Sequence, residues 1–572
     1  MMKALFFSVQ QGILPHSIPE GTVAKSLIER GHEVFYLTCN SVLSDFCVTM
    51  SAHGLTVDSS NDRKRAICNT CTKNRDWIIG ELGIKNFFIE DFMIDSDTSR
   101  INSILNELTK ENIVDFEIDA IPLGRYAAYE FVINHKLSSL NQLDNKLFSE
   151  YKIHFKNALT VVFAAKNFLK IYKPDTVITY NNFYSANHAF TSVCDLLNID
   201  HYTIHAGHNL KNRLNTLYLT SKYTPYILLA HSGEWKNARN IPNTRRRIET
   251  VESHFLELFK GQNVFVYSAP IKRGDKKNLR SFFNISENQK VVLLVLTSGD
   301  ERFAASLIDV MPHLAVDKTY GTQIEWFKAM VEYFSGRNDV AVIVRPHPRE
   351  FPNKRESVLS KQAEILIELF QGLPMNFVVN WPTDNISIYE IASIVDLCLP
   401  STSSTGFEMA ALGAPVITYS PHDIFAYPAE DLTVSSINKD DYLFRVEEGL
   451  TMSWSIEFSR LAFRWAAFKY CDFDIDLTDI LEFREGVNRS ISFRMEQKIE
   501  RLFRNGLEKN ELEMNRIRVP KEFVSICSVL ENKNLFHLKE FDSSISDLEE
   551  TEYLRKTLKK IHKILRIKKI DF

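Results

Sequence analysis

The sequence has no uninterrupted apolar run of about 18 residues, the length a helix needs to cross a bilayer, so no transmembrane helix is expected. It has only eight cysteines in 572 residues, and the N-terminal apolar stretch Ala4–Val9 is followed by Gln10-Gln11-Gly12 rather than a small-residue cleavage site. A secretory signal and a disulfide framework are therefore both unexpected, and a cytoplasmic location follows. Net charge is low, −4 for the whole chain, which gives no reason to expect a nucleic-acid partner. Repeats and low-complexity tracts are absent too. What remains is an ordinary globular composition, 45% hydrophobic and 24% charged, in a chain too long for a single core.

Apolar and polar residues are spaced as in α/β proteins. Ala4–Val9 reads as a strand, the segment through Gly21 as a loop, Val23–Arg30 as a helix and Val34–Thr38 as a second strand, which makes a βαβ unit. Thr176–Tyr180 and Tyr202–His205 continue the series, with a helix over Ala186–Leu197 and a helical insertion over about 95–170. Residues 1–245 are thus expected to form one doubly wound domain. A second series starts with a strand at Asn263–Tyr267 and becomes regular at Val291–Leu296, whose continuous apolar character is that of a strand covered on both faces. Strands at Val340–Val344, Asn376–Val379, Val395–Leu399 and Pro415–Tyr419 alternate with helices at Thr322–Phe334, Ile386–Ser393 and Gly406–Leu412, which gives a second doubly wound domain over 246–450. From 451 to 572 the pattern is helical, with candidates at Trp454–Tyr470, Ser490–Arg504 and the final stretch.

Ligands of doubly wound sheets sit beyond the carboxyl ends of the strands. Two polar turns fall there in the second series. Arg345-Pro346-His347-Pro348-Arg349 follows one strand, and Ser401-Thr402-Ser403-Ser404-Thr405-Gly406 follows another and leads into a helix carrying Glu408. A hydroxyl-rich turn at a helix N-terminus, beside a cation and an imidazole, has the chemistry of a nucleoside-phosphate site. Each motif alone reads as well as an N-cap or a rigid turn.

Together with Ala-Leu-Gly-Ala-Pro-Val-Ile (411–417), these motifs resemble the C-terminal half of GT-B glycosyltransferases that build bacterial capsule and surface polysaccharides, among them Kdo and sialic acid transferases with CMP-linked donors. The resemblance covers about 130 residues. It implies two Rossmann-like domains facing across a cleft with a helical C-terminal extension, and transfer of a sugar from a nucleotide donor to a hydroxyl of a glycan or lipid-linked glycan. It further implies donor contacts from His347, Ser403 and Ser404, joined by Thr405, with Arg345 adding charge and Glu408 near the ribose or sugar. No catalytic metal is implied, although His205 and His208 are of ligand type. The Pro19-Glu20-Gly21 triplet is similar to the acidic-Gly motif that holds the base in such transferases, with Pro19 in place of one acid. Glu20 or His16 is then the candidate base; Glu20 reads equally as a first-turn helix charge. Asn181, Asn182, Tyr184 and Asn187 follow another strand and are candidates for the acceptor side, or for turn formation.

Two features lie outside this reading. Cys39, Cys47, Cys68 and Cys71 are four thiols within 33 residues, the last two spaced C-x-x-C; they are candidates for a structural zinc or an iron–sulfur cluster, or for buried small hydrophobes. In residues 554–570, Leu554, Leu558, Ile561 and Leu565 recur at helical spacing among lysines and arginines, so this stretch either contacts the inner-membrane surface as a peripheral helix or packs on a domain. Three rivals to sugar transfer stay open: a polyol-phosphate transferase, a sugar-nucleotide epimerase, and a non-catalytic polysaccharide-assembly protein.

Overall fold

The computed structural model describes residues 1–141, 143–221, 232–263, 265–271, 278–310, 319–353, 358–420, 425–481, 516–533, 535 and 545–570. The expected helix at Ser490–Arg504 lies outside them. Among the described residues no helix is long and apolar enough to cross a membrane.

The first sheet has seven strands: β1 (Lys3–Ser8), β2 (Glu33–Thr38), β3 (Lys85–Phe88), β4 (Thr176–Tyr180), β5 (Asp200–Ala206), β6 (Thr216–Ser221) and β13 (Ile475–Asp476). They lie in the order β13-β6-β5-β4-β1-β2-β3. The five from β3 to β5 are parallel, whereas β6 and β13 are added antiparallel. The second sheet runs β10-β7-β8-β9, all parallel, over β7 (Lys290–Val295), β8 (Val340–Arg345), β9 (Phe377–Val379) and β10 (Leu397–Pro400). Beyond β10 a bridge from Cys398 to Val416 leads to the short pair β11 (Ile417–Thr418) and β12 (Val434–Ser435). Each sheet reverses direction beside its first strand, between β1 and β4 and between β7 and β10. These two doubly wound units are the architecture expected of the GT-B fold. Val291, Val292, Leu293 and Leu294 are buried completely, so the apolar run is the central strand of a two-faced sheet.

Three elements depart from expectation. The first helix spans Leu14–Glu29 and begins nine residues earlier than the periodicity indicates. Pro15 in the first turn favours helix entry, and Pro19 is accommodated inside the helix although it cannot donate a backbone hydrogen bond. The segment expected as a strand at Asn263–Tyr267 instead turns, because the Asn263 side chain accepts from Phe265 N–H at 2.8 Å and its carbonyl accepts from Val266 N–H at 3.1 Å. The third is the C-terminal stretch, which serves both units. β13 pairs with β6, and Phe523–Asn532 packs on the first helix, whereas Ile456–Ala467 and Asp547–Leu565 pack on the second unit.

In the Asp547–Leu565 helix, Leu554, Leu558, Ile561 and Leu565 are buried against helices Arg245–Lys260 and Ile456–Ala467, and the His562 ring bonds Leu412 O at 2.8 Å. Of the two readings of 554–570, packing on a domain is the one its apolar stripe follows, since that stripe is core and is not free to insert into a membrane, while Arg555, Lys556, Lys559 and Lys563 stay exposed.

The four cysteines are also placed differently. Cys39 follows β2, Cys47 caps the short helix Val48–Ala52, and Cys68 and Cys71 lie mid-helix in Asn61–Leu82 rather than at a knuckle. Among the described residues no group of three or more His, Cys, Asp or Glu side chains is arranged to hold a metal ion. Cys47 and Cys68 border the small core of Phe46, Met50 and Leu55, and burial pushes the Cys47 thiol up to about 12, as it does those of Cys39 and Cys71.

Candidate functional site

In the second unit the crevice beside β7 is framed by two turns. Leu296 N–H donates to Arg345 O at 3.0 Å and Ser401 N–H to Val295 O at 2.8 Å, so the chain leaves β7 and β10 side by side. Arg302, on the helix Gly299–Leu307 that follows β7, donates from its guanidinium to Thr402 Oγ1 and so ties that helix to the second turn. Within the second turn, Ser403 Oγ accepts from Thr405 N–H at 3.3 Å and donates to Thr405 Oγ1 at 3.2 Å. Ser404 is exposed at the start of the Thr405–Leu412 helix and donates to Glu408 at 3.1 Å. Glu408 is buried and also accepts from Tyr389 OH at 2.9 Å; burial raises its carboxyl above the usual range. Gly406 is required by close approach: a Cβ there would lie 2.2 Å from Tyr427 OH and 2.8 Å from Pro400.

The His347 turn occupies the neighbouring end of β8, with β7 between it and the serine turn. His347 is half-buried, and Tyr267 packs edge-on against it with ring centroids 5.5 Å apart. Its Nδ1 accepts from Arg349 N–H at 3.3 Å. Burial lowers its pKa to about 4, so near neutral pH the ring is uncharged and that bond leaves the proton on Nε2. His347 thus offers a neutral N–H donor. Arg345 does not join this group: it is buried, bonds Asn380 at the end of β9 on the far side of β8, and has its pKa lowered to about 10 by burial.

Several residues here carried no sequence signal as site members. Gly299 N–H, at the start of helix Gly299–Leu307, donates to Glu350 at 2.6 Å, so a protein carboxylate already occupies that helix end; burial lifts Glu350 to about 7. Arg349 donates from Nε to Asp300 at 2.9 Å, from Nη1 to Tyr267 OH at 3.0 Å and from Nη2 to Ile133 O of the first unit at 3.2 Å. From the first unit, buried Lys136 donates to the carbonyls of Phe351 at 3.2 Å and Val358 at 2.7 Å. These contacts join the two units beside the crevice. Such pairings depend on side chains more than 200 residues apart, which no local spacing shows.

In the first unit the corresponding crevice lies between β1 and β4. Glu20 is buried completely there; its carboxylate accepts from Ser8 Oγ and from Tyr180 N–H at 3.0 Å, and burial raises its pKa to about 8. His16, one turn earlier, is half-buried and stacks on Tyr180 at 4.0 Å; burial lowers its pKa to about 3. Of the two candidate bases, only His16 is accessible as placed. The stack continues from Tyr180 to His205 at 5.8 Å, Tyr218 at 5.3 Å and His208 at 4.2 Å, where His208 Nδ1 meets Asp474 at 2.5 Å. Asn187 donates to the Tyr180 carbonyl at 2.6 Å and Asn181 Oδ1 accepts from Phe183 N–H at 3.2 Å, which makes both turn-forming residues here.

No protein-family model matches the chain, and no curated protein matches it. Solved structures that match include a β Kdo 2,7 transferase, KpsC of Thermosulfurimonas dismutans, at 14% identity over 59% of this chain and 89% of that one, with a TM-score of 0.29. The UDP-GlcNAc 2-epimerase of Methanocaldococcus jannaschii matches at 14% identity over 81% and 98%, with a TM-score of 0.25. A UDP-GlcNAc 2-epimerase of Neisseria meningitidis bound to UDP-GlcNAc matches at 10% identity over 82% and 97%, with a TM-score of 0.23. At such values the likenesses carry no functional argument.

Proposed function

We propose that the chain is a nucleotide-sugar-dependent glycosyltransferase whose donor lies at the β7–β10 crevice. The observation that supports this best is the hydroxyl-lined turn Ser401–Thr405 at the end of β10, bonded by Arg302 of helix Gly299–Leu307 and one strand away from the end of β8 that carries the neutral N–H donor of His347. In this reading Ser403, Ser404 and Thr405 bond the donor phosphate, His347 donates from Nε2, and the Ser404–Glu408–Tyr389 group holds the ribose or sugar. Hydrogen bonds that strengthen as the bond from the anomeric carbon to phosphate oxygen breaks stabilise the leaving nucleotide. The acceptor hydroxyl forms the new bond to that carbon and gives its proton to a base on the first helix, for which His16 is the accessible candidate. CMP-linked donors and a surface-glycan acceptor are the finer form of the proposal, with the chain acting in the cytoplasm.

Thermal shift against CMP, UDP, GDP and dTDP tests it. At least one is expected to raise the melting temperature of the full chain, and Ser403→Ala/Ser404→Ala is expected to abolish the shift. If none binds the folded chain, the reading is wrong.

A further inference from the structure

Arg213 lies in the short helical turn Arg213–Asn215 of the loop that follows β5, at the carboxyl end of the first sheet. Its guanidinium sits over the Phe265 ring, 4.1 Å from the centroid. Phe265 is two residues before Tyr267, which packs on His347 and accepts from Arg349 at 3.0 Å. The Asn263 amide donates to Leu210 O at 3.3 Å and holds the loop against this segment. Arg213 therefore stands where the first unit meets the segment that leads to the His347 turn. From the end of β5, His205 continues through Tyr180 to His16 in rings 5.8 and 4.0 Å apart, so the accessible base candidate belongs to the same side of the cleft.

The guanidinium has no counter-charge. Arg213 is half-buried, its Nε is buried without a hydrogen-bond partner, and among the described residues no carboxylate pairs with it. Carboxylates that meet this loop are engaged by other residues: Asp474 accepts from the His208 backbone at 2.7 Å and meets its ring at 2.5 Å, and Glu257 pairs with Lys260 at 2.5 Å and Lys211 at 3.9 Å. The surrounding rings carry no charge near neutral pH. Burial, with the charge of Arg213 adding to it, holds His205 and His254 down to about 3 and His208 to about 4. A partly desolvated cation without a partner is unfavourable, and a bound anion removes that cost. Contact with Phe265 restrains the guanidinium, whose planar fork suits two parallel N–H bonds to a carboxylate or a phosphate.

We propose that Arg213 is an oxyanion-binding residue on the first-unit side of the cleft, and that the substrate held there carries a carboxylate or a phosphate. This deepens the sugar-transfer reading, on which it rests for the ligand being the acceptor: the acceptor is then an acidic or phosphorylated sugar, and its anion on Arg213 fixes its position relative to His16.

The test uses the full chain and three probes that share a hexose ring and differ in charge: methyl glucuronide, glucose 1-phosphate and methyl glucoside. By calorimetry at least one of the two anions is expected to bind at least about tenfold more tightly than the neutral glucoside, and which of them does so distinguishes a carboxylate from a phosphate. Arg213→Gln is expected to bring that anion to the affinity of the glucoside, and Arg213→Lys to restore it only in part. Because the guanidinium has no protein anion to lose, Arg213→Gln is not expected to lower the melting temperature of the free chain, which a structural role would lower. Its nucleotide-induced shift is expected to stay. Equal affinity for the glucoside, full anion binding by Arg213→Gln, or loss of the nucleotide shift in that variant, which would give the guanidinium to the donor phosphate, would each overturn the proposal. Anion binding through Arg213 in a chain that no nucleotide stabilises would overturn the sugar-transfer reading and leave the oxyanion site standing.

Discussion

Arg349 and Asp300 form a salt bridge at 2.9 Å with side chains only 3% and 1% exposed, and Arg349 carries the contact on to the Ile133 carbonyl of the first unit. One buried ion pair therefore orders the His347 turn, the first turn of helix Gly299–Leu307 and the junction between units.

Removal of either partner leaves a charge buried without its counter-ion. Arg349→Met or Asp300→Ala is expected to lower stability by about 3–5 kcal/mol, measured by urea unfolding. Arg349→Lys is expected not to restore it, since an ammonium cannot reproduce three divergent guanidinium contacts. A loss below about 1 kcal/mol would show that the pair is not desolvated in solution.

Glu20 gives a pH prediction. Its pKa is raised from 4.5 to about 8 by burial, so the folded state holds a proton that the unfolded state releases across this window. Stability from this group is therefore full below about pH 4.5, falls as pH rises, and levels off above about 8. Glu20→Gln, which cannot ionise, is expected to gain in melting temperature over the unsubstituted chain through this window and to keep a constant lead above it. Parallel curves for the two proteins from pH 5 to 9 would contradict the assignment.

His347 is expected to bind its ligand as a neutral donor. With its pKa near 4, affinity for a nucleotide-sugar diester, which has no group titrating near neutrality, should be flat from pH 5.5 to 8. A step centred near 6.5 that disappears in His347→Gln would show that the ring titrates normally.

Gly406 is fixed by steric approach rather than by an unusual backbone angle. Gly406→Ala places a Cβ 2.2 Å from Tyr427 OH and is expected to cost about 1–3 kcal/mol and weaken nucleotide binding. Tyr427→Phe removes the closest atom and should recover part of that loss in the double variant, a coupling that a double-mutant cycle in urea measures.

Much of the architecture was legible in local sequence. Thr176–Tyr180 is a strand with the bounds its spacing indicates, and the apolar run at Val291–Leu296 reads directly as a central strand, because burial on both faces leaves no polar positions. The turns at His347 and Ser403 stand out in the sequence because a doubly wound sheet places ligands after its strands. The first helix starts earlier than its periodicity indicates because Pro15, Pro19 and Gly21 within it mimic a loop, and Asn263 diverts an apolar segment into a turn.

The sequence by itself determined which segments become strands and which turns carry hydroxyls and imidazoles, since these follow from short-range periodicity and side-chain type. Only the tertiary structure decided their surroundings. It buried Glu20 completely, turned Arg345 toward β9, placed Cys68 and Cys71 mid-helix and covered the stripe from Leu554 to Leu565 with other helices. Burial and partner choice are set by residues far apart in the chain, which is why a carboxylate, a guanidinium, a thiol pair and an amphipathic helix each read plausibly in sequence and acquire their chemistry only in the fold.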